Sequence, residues 1–525
     1  MLSDKELTKA VSRILQRSER QEDPNKLLGT YVDVGILPQL QNNNNRIFFG
    51  RRGTGKTHVL KVLGQNFQGI SGNAVIYLDA RTLGSSSQFM DVDEPLHLRC
   101  LSLFRDIVQG IQNELFEYVV EHPTDTQNLA IDALGELGDS VSKQHARLDE
   151  RVRTESVEAL ATEQNFGVKA TAAHVPDVTL MAGSNDKQSA SAKEERSYKI
   201  APVHKIYFPE VHDALGRALK FAKARLYLLL DEWSFLPLDL QPYLAEFVKR
   251  GLLPINLVTV KLTALEYRSH FNSSIGERQV GFELGADIST ATDLDDYLVY
   301  DRNPEHITDV YSDVLYRHIS SELSPNYLKD KYGMTKGRDL ASKMFTERKT
   351  FQELARASEG VIRDLINIFI QAYFAAQKRG RDTIDKKAIL EAAQKWFEQD
   401  KAQQLDDDLR KVLQRIVEEV IGARKARSFL LPRELENNPV VQKLFDLRVL
   451  HLMQRGYADK DRPGVRYNIY SIDYGTFVGL IGTSKEPDVE MGTESSPDTV
   501  VPFDDKRTIR RIVLSEEVLT VIPAG

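Results

Sequence analysis

Gly50-Arg51-Arg52-Gly53-Thr54-Gly55-Lys56-Thr57 satisfies the phosphate-loop pattern G-x-x-x-x-G-K-[ST] at every fixed position, directly after the apolar run Ile47-Phe48-Phe49. A strand, a tight glycine turn and a helix must follow one another there, which points to an α/β fold built on a parallel sheet. The glycines let the backbone curl until successive N–H groups face one anion, and a helix over about His58 to Gln65 directs its positive end at the same point. Lys56 is expected to reach the β- and γ-phosphates of a nucleoside triphosphate, and Thr57 to place its hydroxyl on Mg²⁺. The expected cradle runs from Gly50 to His58 and includes Arg51, Arg52, Gly53, Thr54 and Gly55.

The run Arg225-Leu226-Tyr227-Leu228-Leu229-Leu230-Asp231-Glu232 is an apolar strand ending in two carboxylates, the Walker B form. Ligands of open parallel sheets lie beyond the carboxyl ends of the strands, so Asp231 is expected beside Thr57 as a metal ligand. Glu232 stands where a general base for the attacking water is needed, near the metal but not consumed by it. Together the two motifs imply an ATPase that converts ATP and water to ADP and phosphate.

At 525 residues the chain has room for two to four domains, and 41% apolar with 28% charged residues is a globular composition. A formal net charge of −7 argues against a wholly basic nucleic-acid binder while leaving room for a local basic surface. The single cysteine, Cys100, excludes an internal disulfide or a cysteine-cluster metal site, and helix packing is its expected role. Eleven histidines show no H-E-x-x-H spacing, which leaves Mg²⁺ as the one expected metal. No apolar run reaches the roughly 18 residues of a membrane span, and Met1 to Glu6 lacks a signal-peptide core. The expectation is a cytoplasmic protein with no membrane partner.

Residues 1–45 read as a helical start, then a lead-in, Tyr31 to Leu37, expected near the nucleotide base, and the turn-forming run Asn42 to Asn45. Ala74 to Asp79 is the next strand, with Asp79-Ala80-Arg81 on the site edge, and apolar spacing predicts a helix over Leu96 to Val120. Lys56 and Asp231 are 175 residues apart, far more than one strand-helix pair occupies, and 121–200 reads as a small-residue, charged insertion: a flexible excursion or a partner-contacting arm. A helix over Gln241 to Arg250 and strands over Ile255 to Leu262 and Val280 to Leu284 follow. Beyond 300 the pattern turns helical: about Glu305 to Leu323, Gly337 to Met344, Thr350 to Ala357, Gly360 to Arg379 and Lys386 to Gln399. Residues 404–480 add helices and a strand-turn-strand from Tyr457 to Tyr470 around Asp461-Arg462-Pro463-Gly464, a winged-helix pattern. An acidic linker and tail complete 483–525, with Arg510-Arg511-Ile512-Val513-Leu514 as a docking strand.

With these motifs, the chain resembles AAA+ ATPases, in particular the initiator clade of origin-recognition type and its bacterial relatives. The resemblance implies an N-terminal helix and lead-in (1–45), a phosphate-loop α/β core (46–300, inserted at about 121–200), a helical lid (301–400), a C-terminal winged-helix-like domain (404–480) and the tail. It implies that Arg363, in Ser358-x-Gly360-x-x-Arg363, is the sensor 2 arginine that reaches the γ-phosphate. Thr263 occupies the sensor 1 position, where the family usually carries Asn, with Glu266 as a substitute. Arg278, with Arg268 as runner-up, is the arginine donated to a neighbouring subunit of a homo-oligomer. Arg424-Lys425-Ala426-Arg427, Arg462 and Arg466 are candidate contacts for duplex DNA, diluted by Asp406-Asp407-Asp408. The function so implied is an ATP-driven oligomeric switch or remodeller acting on DNA or a DNA-associated partner, within an anti-phage defence or mobile-element module. The alternative is a STAND-like signalling scaffold in which ATP binding gates assembly with a separate effector protein.

Overall fold

The computed structural model describes residues 1–84, 95–142, 144–154, 178–179, 194–204, 206–300, 303–458, 463–481, 487 and 512–520. Arg462 of the expected wing turn, and the linker at 488–511 with Arg510 and Arg511, lie outside these residues. The described residues fall into two compact units. One comprises 1–82, 225–242 and 258–525, and the other 83–224 and 243–257.

A five-stranded parallel sheet organises the first unit, in the order Ser289–Asp293, Arg46–Phe49, Val258–Ala264, Arg225–Asp231, Asn73–Asp79. Leu226 to Leu230 are buried at every position, as a central parallel strand covered on both faces requires. Register brings the carboxyl ends level: Asp79 pairs with Asp231, Leu230 with Leu262, and Phe48 with Thr263. The expected α/β phosphate-loop sheet is therefore present, with one correction. Val280 to Leu284 is not one of its strands. Arg278–Gly281 instead returns along Asn272–Ile275 as an antiparallel hairpin. Gly281, at φ 106°, would bring a Cβ to 2.1 Å from the Phe271 carbonyl oxygen, so only glycine fits this close backbone approach. The edge strand is Ser289–Asp293, whose polar residues Ser-Thr-Ala-Thr-Asp carry no apolar signal to announce it.

Helices from Pro304 to Trp396 form an all-helical domain with the expected spacing and one addition, Tyr327–Tyr332. Phe345, Phe351, Phe369 and Tyr373 are fully buried in its core, which also takes up Leu7 and Val11 of the Lys5–Arg13 helix. Asp4 caps that helix through the N–H groups of Glu6 and Leu7, and accepts the hydroxyls of Tyr327 (2.8 Å) and Tyr332 (2.5 Å).

The C-terminal domain runs helix Asp407–Val417, strand Ser428–Pro432, helix Pro439–Asp446, then strands Leu450–Ala458 and Arg466–Ile472. Its antiparallel sheet has the order Ser428–Pro432, Arg466–Ile472, Leu450–Ala458, which is winged-helix topology with longer wing strands than expected.

In the second unit, helices Leu96–Glu121, Gln127–Ser142 and Phe208–Phe221 pack on one another, and the Phe104 ring lies 6.2 Å from Phe208 and 5.8 Å from Phe247. Cys100 is buried in the first of these helices. The stretch expected as an insertion starts with an amphipathic helix, Gln127–Ser142, which buries Ala130, Ala133, Leu134 and Leu137. Gln144–Thr154 then pairs antiparallel with Glu194–His204 along its whole length. Among the described residues, no helix is long and apolar enough to cross a membrane.

Candidate functional site

The phosphate loop closes on itself through its own side chains. Gly53 and Gly55 hold φ of 87° and 103°, left-handed values that favour glycine. Thr54 Oγ1 donates to the Arg51 carbonyl (2.9 Å), and Lys56 Nζ donates to the carbonyls of Gly50 (2.8 Å) and Arg51 (3.1 Å). Burial pushes the Lys56 ammonium below its ordinary pKa, against the pull of Glu232, Asp231 and Asp295. The following helix, Lys56–Gln68, starts one residue after Gly55 and is longer than expected.

At the end of the central strand, Asp231 is fully buried and held by three donors. Its Oδ1 accepts the Glu232 N–H (2.9 Å) and the Thr263 hydroxyl, and its Oδ2 accepts the Tyr77 hydroxyl (2.8 Å). Thr263 thus reaches Asp231 directly, and its oxygen also accepts the Glu232 N–H at 3.0 Å. Glu232 sits at φ 56°, a left-handed conformation uncommon for a residue with a side chain, of the kind found where a strained backbone aims a functional group. Burial raises its pKa; Lys56 opposes that shift and Asp231 adds to it.

The loop and Glu232 open onto one cavity of about 190 Å³, with Asp231 and Thr263 fully buried and outside its lining. Arg52, Gly53, Gly55, Lys56, Thr57 and His58 line it, with Glu232 and Arg363 opposite. Arg363 is tied to the loop by its backbone, whose N–H donates to the Gly53 carbonyl (3.0 Å), and its Nε is buried without a hydrogen-bond partner. Burial and the neighbouring Arg448 and Arg17 lower its pKa. Arg17 and Arg81 also line the cavity; Arg81 grips Asp79 through Nε (2.9 and 3.0 Å) and lies 5.8 Å over the Phe235 ring. Five cations, Arg17, Arg52, Lys56, Arg81 and Arg363, thus face three carboxylates, Glu19, Glu232 and Glu322, a balance suited to a polyanion.

The apolar end is formed by Ile14, Leu15, Leu27 and Ile366, with His58 and His318. Burial holds His318 down to about 3, so it is a neutral imidazole at physiological pH. The lead-in, Tyr31 to Leu37, lies beside this end and does not line it. Ile36 packs with Val59, Leu60 and Leu63 in the core, the Tyr31 ring meets the edge of His58 at 5.3 Å, and the cavity wall comes from residues 14–30 instead.

Arg51 also departs from its expected place in the cradle. Its N–H donates to Asp295 Oδ2 (2.9 Å), so that group is spent. Its side chain turns away from the cavity to Asp295 (3.2 Å), the Glu359 carbonyl (2.9 Å) and His451 Nδ1. Glu266 is corrected as a sensor 1 substitute: its carboxylate is committed to Arg455. Arg268 pairs with Asp446 of the winged-helix domain at 2.5 Å, whereas Arg278 stands exposed at the start of its hairpin strand. Arg427 is corrected as a DNA contact, being buried and bonded to Glu359 at 3.1 Å. Arg424 and Arg466 lie at the surface, near Glu419 (3.6 Å) and the Gly456 carbonyl (3.1 Å) respectively. Tyr77, Asp295, Arg17 and His318 also line or support the site, and of these only Tyr77 carries a sequence signal, as a polar-tipped residue two positions before the strand end.

Thr57 lines the cavity and offers the kind of oxygen Mg²⁺ takes, an ion that binds one or two protein oxygens and completes its shell with phosphate and water, while Asp231 lies buried with its oxygens accepting from Glu232 N–H, Thr263 and Tyr77. Among the described residues, no group of three or more His, Cys, Asp or Glu side chains forms a ready metal cage. A cation there would depend on the oxygens of the bound anion.

Gly53 allows a direct prediction. A Cβ at this position would lie 2.8 Å from Arg363 Cβ and 3.1 Å from Val361 Cγ1, on a left-handed backbone. Gly53→Ala should push the Ile362–Lys378 helix off the loop and weaken triphosphate binding about tenfold, the equivalent of about 1.4 kcal/mol. Titration with a fluorescent ATP analogue checks it; unchanged affinity would mean that the loop and helix need not touch.

No protein-family model matches the chain, and no curated protein matches it. Among solved structures it is similar to Cdc6p from Pyrobaculum aerophilum, at 12% identity, covering 90% of this chain and 96% of that one with a TM-score of 0.32. It is also similar to the ORC2 protein of Aeropyrum pernix (10% identity, 86% and 94% covered, TM-score 0.35) and to Drosophila ORC bound to DNA (10% identity, 91% and 92% covered, TM-score 0.32).

Proposed function

We propose that this chain is an ATP-hydrolysing, AAA+-type oligomeric switch that acts on duplex DNA or a DNA-associated partner. One observation carries the reading: Lys56, Glu232 and Arg363, from three distant parts of the sequence, line a single cavity in which the buried Arg363 Nε lacks a partner. Lys56 and the loop N–H groups bind the β- and γ-phosphates, Thr57 and Asp231 take Mg²⁺, Glu232 receives a proton from the attacking water, and Arg363 holds the γ-phosphate. Bound Mg²⁺ neutralises charge that develops on the phosphate oxygens. Tyr77 and Thr263 fix the Asp231 carboxylate by donating to it. DNA contact is assigned to the winged-helix domain, where Arg424, Lys425, Arg433 and Arg466 lie at the surface.

Steady-state hydrolysis with and without duplex DNA tests this reading. Turnover that rises with DNA supports it. The scaffold alternative draws on a different observation: Arg51, Glu266 and Arg268 are bonded to His451, Arg455 and Asp446, so the nucleotide loop and the winged-helix domain share contacts. Assembly that follows ATP binding, with turnover indifferent to DNA, would favour it.

Arg278 is proposed as the arginine given to the neighbouring subunit. Arg278→Ala subunits should bind ATP normally yet fail to hydrolyse it. Mixing them with Glu232→Gln subunits should restore part of the activity, because some interfaces regain a full set of groups. Such an arginine contributes about 10³ or more in rate, which makes rescue easy to see. Absence of rescue where light scattering shows mixed oligomers rejects Arg278.

A further inference from the structure

The end of the chain forms a clip that the nucleotide reading does not use. Ile512 and Leu514 are 3% and 1% exposed, while Val513 between them is 43% exposed, the alternation of a strand with one face down. The Leu430 N–H donates to the Ile512 carbonyl (2.7 Å), and the Leu514 N–H donates to the Leu430 carbonyl (2.9 Å). This parallel bridge lies on Ser428–Pro432, the edge strand of the winged sheet. One turn of helix follows, Glu516–Leu519, with Leu519 at 1% exposure. The Thr520 carbonyl accepts a hydrogen bond from the side chain of Arg415, on the Asp407–Val417 helix. A strand edge and a helix are thus covered by one short segment whose apolar side chains lie at 512, 514 and 519.

Connectivity does not require this segment to sit on its own domain. Residues 482–511 separate it from Ile481, and thirty residues span at most about 100 Å when extended. An open strand edge is a template for pairing, and a segment that satisfies it in one copy satisfies it equally in another. We propose that Ser428–Pro432 and the Asp407–Val417 helix form a strand-docking site for an Ile-x-Leu segment followed by a helical turn, and that residues 512–519 of a second copy occupy it when the chain's own tail is released. In dilute solution the tethered tail wins by effective concentration; in an assembly the neighbour's tail competes.

The test uses the full chain carrying Ile512→Asp and Leu514→Asp, which unseats the tail without touching the docking surface. A fluorescein-labelled peptide of residues 512–520 should bind this variant at least about tenfold more tightly than the wild-type chain, whose site is filled. The same peptide with an N-methyl group on the nitrogen of Leu514 should bind at least about tenfold more weakly, because that N–H pairs with Leu430. Sedimentation of the variant mixed with chain carrying Leu430→Pro, which keeps an intact tail but lacks the edge N–H that holds it at home, should show, without nucleotide, a mixed pair formed by that tail. Equal peptide binding by both chains, or indifference to the N-methyl group, overturns the docking site. Peptide binding without a mixed pair overturns the second copy as its occupant. None of these readouts depends on ATP, so their failure leaves the nucleotide reading standing.

Discussion

Glu232→Gln should retain ATP binding while slowing hydrolysis by about 10² or more, the usual scale for losing a general base. Glutamine keeps the shape of the side chain and tolerates the same left-handed backbone at φ 56°, so the cavity survives. What it loses is the proton acceptor. Because burial raises the Glu232 pKa, the wild-type rate should fall on the acid side at a pH above the ordinary glutamate value of about 4.3, as the base becomes protonated. That acid limb should vanish from the residual activity of Glu232→Gln. Single-turnover hydrolysis across pH, with binding of labelled ATP measured in parallel, gives both readouts. If Glu232→Gln stayed within a few-fold of wild type while Asp231→Asn abolished turnover, the base lies elsewhere.

Asp364→Ala should destabilise the fold by about 3 kcal/mol or more, because it leaves cations buried without their counter-charge. Asp364 is fully buried beside Arg363, pairs with Arg448, and lies 3.0 Å from Lys401. Lys401 also reaches Asp473, which accepts from His451 at 2.9 Å, and His451 meets Arg51 of the phosphate loop. This chain of charges joins loop, helical domain and winged-helix domain. A urea midpoint shifted at constant slope reads the loss; a shift of only a few tenths of a kcal/mol would show that Asp400 and Asp473 compensate.

The same cluster sets an acid dependence. Burial holds His451 down to about 3, with Arg51 adding to the effect, whereas an unfolded histidine titrates near 6.5. Between those values the unfolded chain binds the extra proton, so stability is full above about 6.5 and declines as pH falls toward 3. Asp473, held down to about 2 chiefly by Lys401 against its burial, contributes stability above about 3.9 that is lost as pH falls through 2. The urea midpoint should therefore already drop between pH 7 and pH 5, above the range in which Asp473 titrates.

Much of the architecture was legible because its causes are local. A left-handed backbone at Gly53 and Gly55, a lysine one residue later and an apolar strand before them are written into a dozen consecutive residues, and they dictate a strand, a glycine turn and a helix wherever they fold. Leu226 to Leu230 likewise announce a strand covered on both faces, and 3.6-residue periodicity announces the helices after 300. The side chains' partners were decided elsewhere. Arg51 belongs to the loop motif, yet Asp295, 244 positions away, draws it out of the cradle. Arg427 reads as a surface cation until Glu359 buries it, and Glu266 reads as a site residue until Arg455 claims it. Ser289–Asp293 became a strand because an open edge of the sheet accepted its backbone, not because its polar residues asked for one. Spacing along a chain encodes backbone direction and which face is apolar; the partner of a charge depends on long-range packing, which brings together residues that share no spacing at all.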